Sequence, residues 1–221
     1  MIEFVMFDAD GVLFDSIESN IAYYNAIFAE VGEPPLDREE EIRSISYSAE
    51  DMFKARSRQD AAKLESMRAI ARALDGATFF NMLKPALDLR PFMLELRTRY
   101  RLGLATNRSA TVPALVVHLK LNDIFHAIAS VLDRVAPKPA PDILHLCMQR
   151  AGATPERSVY VGDSPIDREA ALAAGVHFIG VGTRVDHDHR LTTIAELPAS
   201  LETLIRRLTT RTPGHQNRIG S

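Results

Sequence analysis

Two aspartates, Asp8 and Asp10, stand two residues apart, directly after a short apolar segment and directly before Gly11. Carboxylates at this spacing repel each other unless a cation or a proton lies between them. A hard divalent cation with oxygen ligands satisfies such a pair, and Mg²⁺ is the ion we expect. Gly11 permits a sharp turn immediately afterwards. The alternative is a plain Asx turn at the end of a strand, which needs no ligand.

A second polar cluster, Thr106 and Asn107, follows another apolar segment. A hydroxyl, an amide and the neighbouring backbone N–H groups can bind a phosphate without adding charge. The alternative is a strand-to-helix loop in which Ser109 caps the next helix.

Positive charge comes from Lys138, which lies among three prolines in residues 136–141, where the backbone is restricted. Its ammonium group could meet a phosphate oxygen or a carboxylate nucleophile. The alternative is a solvated lysine in a rigid turn.

The last polar cluster runs from Gly162 to Asp167 and opens a predicted helix. Asp163 could complete a metal site with Asp8 and Asp10, and Asp167 could bond backbone N–H groups or Lys138. The alternative is that both acids stabilise the N-terminus of the helix through its dipole.

The elements that must position these clusters alternate between strands and helices. Apolar segments that end at turn residues predict strands at 2–7, 102–105, 127–132, 158–161 and 176–181. Helical patterns lie between them, at 110–119, 141–151, 167–174 and 197–208. The alternation predicts an α/β fold, a doubly wound and mainly parallel sheet with helices on both faces. Because ligands bind outside the carboxyl ends of such strands, we expect the clusters to share one edge of the sheet.

The region from Ile17 to Leu89 interrupts this alternation. It contains no strand-like segment, and helical patterns occur at 17–31 and 60–74. A helical block therefore follows the first strand, before the alternation resumes.

Composition excludes several classes of protein. The chain has 221 residues, 46% hydrophobic and 25% charged, which is typical of a globular protein. A net charge of −3 provides no basic field for nucleic acid, and no apolar segment approaches the roughly 18 residues of a membrane span. We expect no nucleic-acid or membrane partner. The first residues lack the pattern of a signal peptide, so we expect a cytoplasmic protein.

Two further features have structural interpretations. The one cysteine, Cys147, cannot form an internal disulfide and lies on an apolar helical pattern, so we expect it in the core. The tract Asp186-His187-Asp188-His189 could bind a metal, but we expect a solvated loop because the aspartates already supply a site for a hard cation.

Taken in chain order, the four clusters resemble the motifs of the haloacid dehalogenase-like (HAD) hydrolase superfamily, in its phosphatase branch. The motifs are Asp-Ala-Asp-Gly-Val-Leu-Phe-Asp-Ser at residues 8–16, then Thr106, then Lys138 in Lys-Pro-Ala-Pro-Asp, then residues 162–167 before an alanine-rich helix and Gly175. The pattern is most similar to the phosphoglycolate phosphatase and phosphomutase-like group. It implies a Rossmann-like core with an inserted all-helical cap. We expect the core at 1–16 and 89–208, the cap at 17–88 and a flexible tail at 209–221.

The resemblance also implies a reaction. Asp8 would attack phosphorus to form an aspartyl-phosphate, while Asp10 would protonate the leaving oxygen and then activate water. Mg²⁺ would be bound by Asp8, by Asp163 and by the backbone carbonyl of Asp10. Three residues would bind the phosphate: Thr106, Asn107 through its N–H, and Lys138. Gly11 and Asp167 would support this site.

The resulting expectation is a Mg²⁺-dependent phosphomonoester hydrolase that acts on a small phosphorylated metabolite. Two alternatives stay open, a sugar phosphomutase on the same core and a non-catalytic binding protein with this fold. The sequence is compatible with both a monomer and a homodimer.

Overall fold

The computed structural model describes residues 1–108, 110–187 and 189–210. Its strands are β1 (Phe4–Phe7), β2 (Phe14–Asp15), β3 (Lys84–Pro85), β4 (Arg101–Thr106), β5 (Ala127–Ser130), β6 (Ser158–Gly162), β7 (His177–Val181) and β8 (Arg190–Leu191). Six of them form one sheet in the order β5-β4-β1-β6-β7-β8, and all neighbouring pairs in it are parallel. The sequence-based strands all form, with ends shifted by a few residues.

The central strand β1 is buried on both faces, as its uninterrupted apolar sequence predicts. Val5 and Phe7 belong to one hydrophobic cluster, while Phe4 and Met6 belong to another. Since successive side chains of a strand point to opposite faces, the two clusters lie on opposite sides of the sheet.

Nine helices are defined within the described part of the chain: α1 (Ile17–Glu30), α2 (Arg38–Arg43), α3 (Ala49–Ser57), α4 (Ala61–Ala73), α5 (Leu89–Arg97), α6 (Val112–His118), α7 (Asp142–Ala151), α8 (Pro165–Ala174) and α9 (Leu197–Thr210). Helices α5, α6 and α9 contribute to the cluster around Val5, and α7 and α8 to the cluster around Phe4. Helices therefore cover both faces, and the predicted doubly wound α/β fold is confirmed.

Helix ends follow the sequence signals in most places. Gly152 and Gly175 follow α7 and α8 in the left-handed conformation that glycine adopts readily. Helix α6 differs, because it begins at Val112, with Thr111 rather than Ser109 as its N-cap residue and with no side-chain capping bond. Ser109 itself lies outside the described residues.

The segment between the first strand and α5 is mainly helical, with α1 to α4 followed by a 3₁₀ helix at Gly76–Met82. It has a hydrophobic cluster of its own, which includes Tyr24, Phe28, Phe53 and Met67. The expectation of no strand in this segment is wrong in one respect, because β3 pairs antiparallel with β2. Two-residue strands are too short to produce a period in the sequence.

Other sequence-based expectations have mixed outcomes. Cys147 is buried, as predicted, with Sγ 3.6 Å from the carbonyl oxygen of Leu104. Helix α9 continues to Thr210, two residues into the segment expected to be a tail, and residues 211–221 lie outside the described residues. Among the described helices, none combines the length and the apolar character that a membrane crossing requires.

The histidine tract is described except for Asp188, which lies outside the described residues. The ring of His187 packs edge-on against Phe178 at 5.2 Å between centroids, and its Nδ1 accepts a hydrogen bond from the N–H of His189. In the part of the chain that the structure describes, neither histidine belongs to a group of potential metal ligands.

Candidate active site

The polar clusters meet at the carboxyl ends of the central strands because the strands are in register. Phe7 is level with Leu104 of β4 and with Val161 of β6. Asp8 follows directly on β1, Thr106 ends β4, and Gly162 ends β6. These residues therefore lie at one edge of the sheet, as the alternation of elements predicts.

Asp8 is buried, and its carboxylate faces the ammonium group of Lys138. Nζ of Lys138 lies 2.8 Å from Oδ1, an ion-pair contact. The ammonium group thus lies within hydrogen-bond distance of Oδ1 and compensates its charge. Burial raises the pKa of Asp8 to about 7, although Lys138 opposes that shift. Asp8 is thus a buried carboxylate whose negative charge is compensated by Lys138.

Lys138 is also fixed by two other groups, which are both buried. Its Nζ donates to Oδ1 of Asp167 at 2.6 Å and to the hydroxyl of Tyr160 at 2.7 Å. Burial alone would lower the pKa of Lys138, but the carboxylates of Asp167 and Asp8 outweigh it, and the net shift is upward. The ammonium group is therefore charged and held at one position beside Asp8.

Asp167 links Lys138 to the loop between β6 and α8. Its Oδ2 accepts hydrogen bonds from the N–H of Asp163 at 3.2 Å and from the N–H of Ser164 at 3.1 Å. Burial would raise the pKa of Asp167, yet the charge of Lys138 and hydrogen bonds from the side chains of Lys138, Ser164 and Tyr160 hold it below the ordinary value. A Cβ atom at Gly162 would lie 2.4 Å from Cβ of Asp167, so that only glycine fits there. Asp167 thus connects Lys138 to the loop between β6 and α8.

Asp163 approaches the first motif at Gly11. A Cβ atom on Gly11 would lie 1.7 Å from Oδ2 of Asp163, and Gly11 has a φ of +74°. Both the backbone conformation and the close contact therefore require glycine. Arg184, in the loop after β7, donates a hydrogen bond to the same Oδ2. Burial raises the pKa of Asp163 to about 7 against the opposing charge of Arg184.

Three carboxylates form the one group of potential metal ligands among the described residues: Asp8, Asp163 and Asp167. Each offers an oxygen atom, and these atoms lie within 4.8 Å of one another. An all-oxygen set of three buried carboxylates fits a hard divalent cation such as Mg²⁺. Both oxygens of Asp167 already accept hydrogen bonds, so Asp8 and Asp163 are the better candidates. The Asp10 side chain is not in this group, and its expected contribution is through the backbone carbonyl.

The Asp10 carboxylate is bound instead by Arg108. Nε of Arg108 lies 2.6 Å from Oδ2, and Nη2 lies 2.7 Å from Oδ1. The Arg108 side chain is only 13% exposed, and Nη2 also donates to Oδ1 of Asn20 at 3.2 Å. Burial would lower the pKa of Arg108, but Asp10 outweighs it and raises the pKa.

Thr106 and Asn107 both lie at this edge, in different roles. The hydroxyl of Thr106 accepts a hydrogen bond from the N–H of Arg108 at 3.3 Å. The Asn107 side chain accepts from the N–H of Lys138 at 2.8 Å and donates to the carbonyl oxygens of Lys138 and Ser46. Its amide therefore ties the lysine loop to the helical segment, and the backbone N–H is the part left for a phosphate.

A cavity of about 70 Å³ lies over Asp8 and Asp10. Its walls come from both parts of the chain, with Thr106, Asn107 and Arg108 on the sheet side. The helical segment contributes Asn20, Tyr23, Ser46, Tyr47 and Phe79, among others. The helical segment thus forms part of the wall of this cavity.

Four residues of this site were not predicted from the sequence: Asn20, Arg108, Tyr160 and Arg184. Arg108 stands next to the Thr106-Asn107 cluster, so a charged residue in the same loop was a usable signal. Tyr160 carries a hydroxyl group within the otherwise apolar residues 159–161, which indicates a buried hydrogen bond. Asn20 and Arg184 have no local signal, since their partners are distant in sequence.

Comparison with known proteins agrees with this geometry. The family model described as "Haloacid dehalogenase-like hydrolase" matches residues 5–181. The chain is 33% identical over 220 residues to protein CbbY of Cereibacter sphaeroides, covering 89% of this chain and 94% of that one. It is 29% identical over 191 residues to a phosphoglycolate phosphatase of Pseudomonas putida, and the match covers 83% of this chain and 70% of that one.

Among solved structures, a putative haloacid dehalogenase-like hydrolase from Bacteroides fragilis superposes with a TM-score of 0.78. It is 25% identical, and the match covers 89% of this chain and all of that one (100%). The family model covers far more than half of the chain, and all four motifs that carried the resemblance lie within the matched residues. The chain therefore belongs to the haloacid dehalogenase-like hydrolase family.

Proposed function

We propose that this protein is a Mg²⁺-dependent phosphomonoester hydrolase that acts on a small phosphorylated metabolite through an aspartyl-phosphate at Asp8. The observation that carries the proposal is the pairing of two carboxylates at one cavity. Asp8 is buried beside Lys138, and Asp10 lines the same cavity. The two acids thus have different surroundings, which suits different roles.

In the first step, an oxygen of Asp8 forms a bond to phosphorus while the bond from phosphorus to the ester oxygen breaks. Asp10 gives its proton to the departing oxygen. In the second step, Asp10 takes a proton from water as the water oxygen attacks the phosphorus of the aspartyl-phosphate. Asp8 is thereby released and inorganic phosphate forms. An acid at position 10 suits an alkoxide leaving group, which needs a proton.

The remaining residues bind and orient. The Lys138 ammonium group, fixed by Asp167 and Tyr160, compensates negative charge on Asp8 and on the phosphoryl oxygens. Thr106 and the N–H of Asn107 would bind the phosphoryl group. Bound between Asp8 and Asp163, Mg²⁺ would supply further positive charge for the same purpose.

The test measures release of inorganic phosphate from a panel of small phosphate esters, with and without Mg²⁺. The wild type should release phosphate only with the metal, and Asp8→Asn should release none. Asp88→Asn is the matched control, because Asp88 is exposed at the start of α5 and makes no side-chain capping bond. It should behave as the wild type.

Two results would contradict the proposal. One is a wild type that is inactive on the whole panel, and the other is an Asp8→Asn variant that keeps its activity. Interconversion of sugar phosphates without release of phosphate would favour the phosphomutase instead.

A further inference from the structure

Tyr160 lies in the middle of β6, and its side chain is fully buried. The ring belongs to the hydrophobic cluster around Phe4 and packs against Phe178, at 6.4 Å between ring centroids. Packing of this kind needs an aromatic ring but not a hydroxyl group, and phenylalanine would supply it as well. The hydroxyl of Tyr160 is therefore the part of the side chain that the core does not explain.

This hydroxyl meets groups from three of the four sequence motifs. It accepts a hydrogen bond from Nζ of Lys138 at 2.7 Å, and it lies 3.1 Å from Oδ1 of Asp167. It also donates to the carbonyl oxygen of Ala105 at 2.9 Å, on the peptide that joins Ala105 to Thr106. Because an ammonium group can only donate, the hydroxyl accepts from Lys138, and its single hydrogen is available for Ala105 as the nearer acceptor. One oxygen atom thus connects the lysine loop, the start of α8 and the end of β4.

The reach of Tyr160 across the sheet follows from the order of the strands. Strand β1 lies between β4 and β6, and Tyr160 is level with Met6 of β1. The ring therefore spans the face of β1 before its hydroxyl meets Ala105 on the far strand. Tyrosine combines the length that this contact requires with an apolar body that stays in the core.

The contacts of Lys138 indicate what the hydroxyl contributes to the site. The ammonium group has three hydrogens, and Asp167 and Tyr160 accept two of them, at 2.6 and 2.7 Å. Asp8 is the third neighbour, with Oδ1 2.8 Å from Nζ. Two fixed acceptors define the orientation of an ammonium group, whereas one acceptor leaves it free to rotate about that bond. Without the hydroxyl, Lys138 would stay beside Asp167 but would no longer be held against Asp8.

We propose that Tyr160 is a positioning residue of the phosphoryl transfer, whose hydroxyl holds the Lys138 ammonium group against the carboxylate of Asp8. This inference rests on the proposed function, in which Asp8 is the nucleophile. Tyr160 acts through Lys138 rather than on the substrate, because it is fully buried and is not among the residues that line the cavity over Asp8.

Substrate binding and bond formation should depend differently on this hydroxyl. Binding of the phosphoryl group depends on the charge of Lys138 at long range, and that charge survives a small displacement. Bond formation at Asp8 depends on the direction of its carboxylate oxygens, and a misplacement of ~1 Å can cost ~100-fold in rate. The loss should therefore be in kcat rather than in KM. A tyrosine that only satisfied the core would lower stability and leave kcat of the folded enzyme unchanged.

The kinetic experiment uses Tyr160→Phe and an ester that the wild type hydrolyses, at saturating Mg²⁺. We expect kcat to fall by ~10- to 100-fold, while KM and the inhibition constant of inorganic phosphate stay within about 3-fold of the wild-type values. Tyr100→Phe is the matched control, because Tyr100 is also buried but belongs to the cluster around Val5, on the opposite face of the sheet. It should keep the wild-type kcat and KM.

A second measurement does not depend on activity. The five lysines all lie in the described residues, and Lys138 alone among them is buried. In protein labelled with ¹⁵N at its lysine side chains, the Lys138 ammonium group should exchange hydrogen with water more slowly than the others and give a ¹H–¹⁵N signal at neutral pH. In Tyr160→Phe this signal should be lost through faster exchange.

Three results would overturn the inference: a wild-type kcat in Tyr160→Phe, a fall in kcat matched by an equal fall in phosphate affinity, or a Lys138 signal that the substitution leaves unchanged. If Tyr160→Phe does not fold, the wild type decides, because a Lys138 ammonium group that exchanges as fast as the exposed lysines is not held in place. Failure of the wild type on every ester would contradict the proposed function instead, and the ammonium signal would then still test whether Tyr160 holds Lys138.

Discussion

Arg184 donates a hydrogen bond from Nη2 to Oδ2 of Asp163, so a guanidinium group lies against one of the two carboxylates best placed to bind a metal ion. The same side chain lies 3.5 Å from the hydroxyl of Ser46 in the helical segment. A bound cation would share Asp163 with Arg184 or displace it, because both positive charges compete for one carboxylate.

The first prediction concerns this competition. Arg184→Ala should bind Mg²⁺ about 10-fold more tightly in the absence of substrate, since changes beside a ligand alter metal affinity by that order. The Mg²⁺-dependent rise in melting temperature reports the affinity directly. Arg206→Ala, an exposed residue of α9, is the control. An unchanged or weaker affinity in Arg184→Ala would contradict the prediction.

The second prediction compares two glycines with similar backbones. Gly11 has a φ of +74° and Gly32 a φ of +71°, so alanine is strained at both. Only at Gly11 would the new Cβ atom meet the Asp163 carboxylate, whereas nothing lies within 4 Å at Gly32. Gly11→Ala should therefore weaken Mg²⁺ binding by at least ~10-fold, and Gly32→Ala should not change it. Titration of the melting temperature with Mg²⁺ measures both, and equal affinities would show that Asp163 is not a ligand.

The third prediction separates a buried ion pair from an exposed one. Lys138→Met leaves Asp8 and Asp167 buried without their cation, which should lower the free energy of unfolding by about 3–5 kcal/mol. Lys84→Met removes an exposed pair with Glu18 and should change stability little. Urea unfolding of both variants without metal checks this. Similar midpoints for the two variants would mean that the network around Lys138 does not stabilise the fold.

The fourth prediction concerns Cys147, whose pKa burial raises to about 12. The thiol should therefore resist iodoacetamide at pH 8 in the folded protein and react once urea unfolds the chain. The folded pKa lies above the ordinary value of 9.0, so the contribution of this thiol to stability is complete below pH 9.0 and is lost as the pH rises toward 12. Mass spectrometry detects the adduct, and Cys147→Ser gives the background. Rapid labelling of the folded protein would show that the thiol is accessible.

The sequence predicts the polar edge of the sheet well because each cluster is local to one strand end. Asp8, Thr106 and Gly162 each follow an apolar segment, and parallel strands bring such ends together. The contacts of the arginines are different. Arg108 and Asp10 are 98 positions apart, and charge alone does not say which acid an arginine meets.

The helical segment was predicted less completely for a related reason. Helix α2 has no buried residue, so hydrophobic periodicity does not reveal it. Its detectable signal is the capping box formed by Asp37 and Glu40. Short helices of this kind are fixed by their ends and by tertiary contacts rather than by an apolar face.

The pairing of β2 with β3 has a consequence for how proteins of this kind can change. Phe14 is opposite Pro85, and Asp15 is opposite Lys84, in an antiparallel pair. A two-residue turn is enough to connect antiparallel strands. The chain thus enters the helical segment at β2 and returns from it at β3, so the two ends of this segment lie side by side. Recombination at β2 and β3 could exchange the whole helical segment without breaking a strand of the parallel sheet. Descendants of one protein could then keep its reaction while the substrate changes.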